Sequence, residues 1–288
     1  MKSNDKIKGI IFILLAAFGF SLMTFFVRLS GDLPTMQKAF FRNFVALIVA
    51  MSAIIKNGQG FHIGKGNRLD IFCRSAFGTA GLIANFYAID HIGFADANML
   101  NKLSPFFAII LSIFILKEVP NRFDIVTTII AFIGAMFIVR PTGAFTEVLP
   151  ALAGLFGGFG AGTAYVFVRK LGKKGVQTPV IVACFSLFSC IVTLPFLIVG
   201  YVPMSPKQWI ILIAAGISAS LGQFSITNAY KYAPAKEISV FDYTQVIFAA
   251  ILGIIFFDEV PVPLSILGYT IIIGVAIVRW RRNLKVQD

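Results

Sequence analysis

The chain has 288 residues, of which 58% are hydrophobic and 13% charged, with a net charge of +12 and a mean hydropathy of +0.86. Soluble domains average roughly 25% charged and roughly 45–50% apolar residues, so this composition excludes a water-soluble globule and makes lipid the solvent for most of the surface. The positive charge does not point to nucleic acid, because the basic residues form no aromatic-bearing soluble module and no zinc-finger spacing. Cys73, Cys184 and Cys190 fall in apolar stretches, where cysteine is a small packing residue and not a disulfide or metal partner.

The first apolar run, from about Gly9 to Val27 behind a basic Met1–Lys8 leader, has the length of a full span, roughly 20 residues. No small-residue cleavage pattern follows it, so it reads as a span and not as a secretory signal. In chain order, apolar runs between polar or Pro/Gly-rich breaks predict ten helical spans at about 8–28, 36–55, 69–89, 94–116, 123–140, 150–169, 178–199, 207–229, 235–257 and 264–280. The runs lack the alternation of barrel strands, which leaves helices as the spanning structure.

Threaded through such a topology, eighteen Lys and Arg residues fall on one side, among them Lys2, Lys6, Lys8, Lys56, Lys117, Arg169, Lys231 and Arg279. Four, Arg28, Lys38, Arg140 and Lys207, fall on the other. The positive-inside rule then expects both termini in the cytoplasm of a multi-pass protein of the cell membrane, the plasma or inner membrane of a bacterium.

The sequence also repeats itself. Phe26-Val-Arg-Leu-Ser-Gly31 recurs as Phe167-Val-Arg-Lys-Leu-Gly172, and Glu118-Val-Pro120 recurs as Glu259-Val-Pro261, both at a shift of 141 residues. The same shift superposes Gly19 on Gly160, Phe44 on Phe185, Gly81 on Gly222, Ala88 on Ala229 and Leu111 on Leu252. Two tripeptide-scale matches with intervening glycines at one offset are not expected by chance. The reading is an all-α polytopic membrane protein of two five-helix repeats, residues 1–146 and 147–288. Five is odd, so the second copy enters the membrane inverted, an arrangement that lets a midplane site open alternately to each side.

These residues resemble the EamA family of the drug/metabolite transporter superfamily, over essentially the whole chain. The duplicated Glu-Val-Pro carries the resemblance together with Ala229-Tyr-Lys-Tyr-Ala-Pro-Ala-Lys-Glu-Ile-Ser-Val-Phe-Asp-Tyr-Thr-Gln245. The first-half counterpart of that stretch, beginning Ala88-Ile-Asp-His, keeps its spacing but has Gly93 in place of Pro234. The resemblance implies ten helices, cytoplasmic termini and a central cavity lined mainly by spans 1, 3, 4, 6, 8 and 9. It implies no particular substrate.

Ionisable groups inside spans are costly and are functional candidates by default. Asn98, Asn101, Lys102 and Pro105 share one face of the fourth span by their i, i+3, i+4, i+7 spacing, and the shift maps them onto Ser239, Asp242, Tyr243 and Val246. At 1.5 Å per residue the Lys102 and Asp242 Cα atoms are offset by roughly 10 Å along the membrane normal. A direct salt bridge therefore requires long side chains, a tilt or a bridging ligand. Arg74, Gly78, Gly81 and Asn85 share a face of the third span. Arg42 and Arg74 either line the cavity, where arginine forks carboxylates and phosphates, or snorkel to the interface.

Tyr165, Gln223, Asn228 and Tyr243 either orient a solute or tie helices together. Gly154, Gly157, Gly158, Gly160 and Gly162 read as close-approach glycines of the sixth span, Glu118 and Glu259 as structural or hinge residues, and His62 and His91 as solvated.

The expected function is a secondary transporter moving a small organic solute across the cytoplasmic membrane by alternating access. Amino acids and amphipathic or nucleoside-like metabolites fit, with a carboxylate, phosphate or zwitterionic group favoured by the basic excess inside the spans. Substrate-binding candidates are Asp242, Lys102, Asn101, Asn98, Tyr243, Arg74, Asn85, Tyr165, Gln223 and Asn228, and Asp242 is also the proton-coupling candidate. No cofactor, metal or nucleic acid is called for; membrane lipids are partners and a homodimer is compatible. The alternative is a membrane-integral lipid-handling scaffold or enzyme without a soluble domain, which should show a nucleophile and base at one membrane face; none is found.

Overall fold

A continuously apolar run in lipid satisfies its backbone polar groups only by closing them into a helix. The computed structural model describes residues 3–58, 60–92, 100–139, 148–257 and 263–285, and among them it is helical with no strand. The helices are α1 (Ser3–Leu29), α2 (Thr35–Lys56), α3 (Arg68–Ile92), α4 (Ser104–Leu116), α5 (Arg122–Val139), α6 (Val148–Lys173), α7 (Thr178–Val199), α8 (Pro206–Tyr232), α9 (Ala235–Phe257) and α10 (Pro263–Lys285). Among the described residues α1, α2 and α6 to α10 are long and apolar enough to cross a membrane, and α4 is a shorter apolar helix. Asp96, Asn98, Arg140 and the second Glu-Val-Pro at Glu259 lie outside the described residues.

Most ends fall within a few residues of the predicted runs, and the differences have local causes. The eighth helix starts at Pro206 because Ser205 and Gln208 form a capping box, the Gln208 N–H donating to Ser205 Oγ at 3.3 Å. The fourth ends at Lys117, whose φ of +57° makes it the one non-glycine with positive φ among the described residues. That left-handed turn lets the Glu118 N–H reach back to the Ser112 carbonyl at 3.1 Å and aims the Glu118 side chain across the bundle.

Packing follows the repeat. The largest interfaces are α1 on α8 and α3 on α6, followed by α2 on α7 and α5 on α10. A shift of 141 residues exchanges the first two with each other and maps each of the last two onto itself. The crossings are set by glycines. A Cβ added at Gly160 would stand 2.8 Å from the Gly81 Cα and 2.7 Å from the Phe77 carbonyl oxygen; one added at Gly19 would stand 2.7 Å from the Gly222 nitrogen. Gly19 and Gly160 are repeat mates, as are Gly81 and Gly222, so one crossing is built twice. Both obstacles are backbone, which cannot swing aside. Gly160→Val is therefore expected to cost about 1–3 kcal/mol by overpacking, read as a lower melting temperature in detergent, whereas Gly274→Val, where an added Cβ meets nothing within 4 Å, should melt like the parent.

One end of the bundle, which carries the first turns of α1, is fastened by charge. Asp70 on α3 accepts from Lys170 of α6 at 2.8 Å and from Lys174, just beyond α6, at 2.6 Å. Arg279, buried on α10, pairs with Asp124 on α5 at 2.8 Å and also bonds Thr127. Lys6 pairs with Glu237 at 3.4 Å. Four basic groups meet three carboxylates here, which neutralises most of their charge.

Candidate functional site

The fourth and ninth runs are both interrupted, at matching places. Residues 100 and 101 are helical, Lys102 and Leu103 form a turn, and α4 proper begins at Ser104. Within α9, Ser239–Tyr243 tightens into a 3-10 stretch before the α-helix resumes at Thr244. Broken helices expose backbone and side-chain polar groups near the middle of a membrane bundle, where transporters build their sites. Glycines of α6 seat the first break: an added Cβ at Gly158 would lie 2.7 Å from the Leu100 carbonyl oxygen, and one at Gly162 would lie 2.7 Å from that of Ser104. These glycines serve close helix approach, as their spacing suggested.

The two breaks meet. Lys102 Nζ donates to Gln245 Oε1 at 2.6 Å and pairs with Asp242 Oδ2 at 3.3 Å. The Tyr243 hydroxyl donates to the Lys102 carbonyl at 3.1 Å. Lys102 and Tyr243 are repeat mates at the 141-residue shift and touch each other. Ser21 on α1 closes the cluster by donating to the Gln245 carbonyl at 2.8 Å. Asp242 is 6% exposed and Tyr243 fully buried, so this pair works away from bulk water, where electrostatic contacts are strong. The 3-10 stretch advances about 2.0 Å per residue, and together with the lysine's length it closes the offset that straight helices would leave.

The remaining candidates separate. Arg74 donates from Nη2 to Gln223 Oε1 on α8 at 3.0 Å, and its guanidinium lies 4.0 Å over the Phe185 ring of α7. Gly78 makes room for it: an added Cβ there would stand 2.5 Å from Arg74 Nη1. Arg42 and Arg74 are 6% and 2% exposed, so neither snorkels. Tyr165 stacks on Tyr230 with ring centroids 4.9 Å apart and is within electrostatic reach of Arg42, Arg74 and Asp242.

Asn101 is half-buried beside Lys102. The Asn85 Oδ1 is buried without a hydrogen-bond partner. The Asn228 Oδ1 accepts from Thr178 Oγ1 at 2.5 Å, a contact that joins α8 to α7. Asn98 lies outside the described residues.

Gln245 and Ser21 were not among the expected site residues. Gln245 stands at i+3 from Asp242, the same-face spacing that singled out Asn98 and Asn101, so its signal was present. Glu118, expected as a structural or hinge residue, pairs with Arg169 at 3.2 Å and Lys173 at 2.5 Å on α6.

A family model described as the EamA-like transporter family matches the chain twice, over residues 7–140 and 148–280. The chain belongs to this family. The EamA-like chain is 30% identical over 267 residues to the pseudopaline exporter of Pseudomonas aeruginosa, an alignment covering 92% of this chain and 93% of that one. It is 28% identical over 295 residues to solute carrier family 35 member G1 of Homo sapiens, covering 96% and 81%. These relatives are transporters and not enzymes. A solved crystal structure with 18% identity superposes at a TM-score of 0.83 over 97% of this chain and 98% of the other, so the EamA-like fold is shared. Membership, multi-pass membrane placement and a small-molecule cargo follow from these likenesses.

Proposed function

We propose that the chain is a secondary transporter of ten spans in two inverted five-helix repeats, with both termini cytoplasmic, that moves a small organic solute by alternating access. Amino acids and amphipathic or nucleoside-like metabolites are the solute class. The observation that carries this reading is the meeting of the two helix breaks, where Lys102 holds Asp242 and Gln245 and Tyr243 touches its repeat mate. A polar cluster on the axis between two copies of one fold is reached from either side when the copies exchange conformations.

Differences between repeat mates support the alternation. Gly172 on α6 is packed, an added Cβ meeting Lys231 at 3.0 Å, while an added Cβ at its mate Gly31 meets nothing within 4 Å. Arg169 is buried and donates to the Lys231 carbonyl at 2.8 Å; its mate Arg28 is exposed and lies 4.0 Å over the Phe257 ring. In this reading the N-terminal end is shut and the opposite end is the accessible one. Exchange of the two packings opens the cytoplasmic side.

The test is transport in proteoliposomes under an imposed pH gradient, with radiolabelled amino acids and nucleosides offered in both directions, because one relative is an exporter. Asp242→Asn should abolish the gradient dependence while leaving the protein folded, at a lower melting temperature because Lys102 loses its buried counter-charge. Transport that still follows the pH gradient in this variant removes Asp242 from coupling; no transport of any offered class removes the proposed solute range.

A further inference from the structure

Only three of the 25 Lys and Arg residues lie inside the predicted spans away from their ends: Arg42, Arg74 and Lys102. Lys102 is neutralised by Asp242 at 3.3 Å. The two arginines have no such counter-charge among the described residues. Among the described residues no carboxylate lies within ion-pair distance of either, and the Nε of each is buried with no hydrogen-bond partner. They stand within electrostatic reach of each other and of Tyr165.

An unpaired buried charge costs several kcal/mol even after the surroundings relax, and two like charges together cost more. With no carboxylate among the described residues spent on this pair, the compensation is left to something else. Gln223 and Phe185 hold the Arg74 guanidinium by one bond and one ring face, which fixes its plane without supplying charge. The Nε–H edges stay unsatisfied, and such an edge is the side of a guanidinium that takes a carboxylate or phosphate oxygen.

Resting on the transporter reading above, we propose that Arg42 and Arg74 form a two-guanidinium anion site and that the transported solute is a dianion, a dicarboxylate or a phosphate monoester. The charge of two follows from the site itself: among the described residues neither arginine meets a carboxylate, so two positive charges stand there without compensation. A monoanion leaves one arginine uncompensated, and a cation is repelled. The apolar body of the solute lies against the phenylalanine side of the site, where Phe185 already covers one guanidinium face.

The experiment uses the full chain in detergent, delipidated and titrated at constant ionic strength with succinate, glycerol phosphate, acetate and choline, followed by thermal shift and calorimetry. Succinate or glycerol phosphate should raise the melting temperature and bind, while acetate and choline do neither. Arg42→Gln and Arg74→Gln should each weaken dianion binding by roughly 10- to 100-fold, the loss of one charged hydrogen-bond set.

Arg42→Met guards against a folding artefact: removing an uncompensated buried charge should leave the free protein as stable as the parent or more so, while abolishing the dianion response. A lower melting temperature of free Arg42→Met, or unchanged dianion affinity in both Gln variants, overturns the proposal.

Titration with phosphatidylglycerol separates the other source of an anionic head: stabilisation by that lipid alone, lost in Arg42→Gln, overturns the dianionic solute in favour of a lipid. Counterflow in proteoliposomes separates the two levels of the reading. Dianion binding without counterflow overturns transport and keeps the site, whereas counterflow of other solutes that dianions do not inhibit overturns the site and keeps transport.

Discussion

Lys102→Met is expected to lower stability by about 3–5 kcal/mol and to abolish transport, because it leaves the Asp242 carboxylate buried without its cation. The Lys102 and Asp242 side chains are only 12% and 8% exposed, so water cannot take over the lost contact. The double variant Lys102→Met with Asp242→Asn should recover most of that stability, since a charge pair replaced by neutral groups of similar volume is often neutral or stabilising. It should not recover transport.

That split distinguishes a functional pair from a structural one. Were the pair only a brace between α4 and α9, the double variant would regain function along with stability. Unfolding followed by tryptophan fluorescence in detergent supplies the stability, and proteoliposome flux supplies the function. Gln245→Leu makes a milder companion: Lys102 keeps Asp242 but loses its 2.6 Å contact, and flux should fall by roughly tenfold for a lost hydrogen bond to a charged group.

How much of this was legible in the sequence depends on the kind of fact. The helices were, because a run of apolar residues in lipid has only one way to satisfy its backbone, and each predicted run holds a described helix. The location of the polar cluster was also legible, since the spacing of Asn101 and Lys102 and the shift onto Asp242 and Tyr243 are properties of the chain alone. The direct ion pair was not. It depends on the 3-10 stretch at Ser239–Tyr243, which lengthens α9 by about 2.5 Å over five residues, and on a turn at Lys102 that no single residue announces.

The arginines show the same limit. Depth in the membrane can be counted from the ends of a run, but whether a long cation turns inward is decided by neighbours far away in sequence. Arg74 is drawn in by Gln223 and Phe185, 149 residues away in the case of the glutamine. Asn228 depends on such a neighbour too. An amide inside a span reads equally as ligand contact or helix tie, and its Thr178 contact across the α7 interface is not announced by the sequence.

Glu118→Gln should loosen the N-terminal end of the bundle. The two sequence signatures that repeat most closely are the Phe-Val-Arg motif and Glu-Val-Pro, and in the structure the arginine of one copy meets the glutamate of the other: Arg169 with Glu118, at 3.2 Å, both nine-tenths buried. Arg169 also donates to the carbonyls of Tyr230 at 3.3 Å and Lys231 at 2.8 Å, so one side chain ties Glu118, just beyond α4, to α6 and α8 at the N-terminal end. Removing the carboxylate charge leaves a buried guanidinium with carbonyl partners alone, at a cost of about 3 kcal/mol.

That energy corresponds to roughly a hundredfold change in an opening equilibrium, which hydrogen exchange reads directly: amides in the last turns of α6 and α8 should exchange up to a hundredfold faster. The charge swap Glu118→Arg with Arg169→Glu should restore part of the protection. Glu259 lies outside the described residues, yet its place in the repeat makes it the counterpart of Glu118, as Arg28 is of Arg169. Glu259→Gln should therefore leave exchange at the ends of α6 and α8 unchanged. If both variants loosen the same end, the repeated glutamates are ordinary helix stops; if each acts at its own end, the motif that marks the repeat in sequence is also what holds one side of the transporter closed at a time.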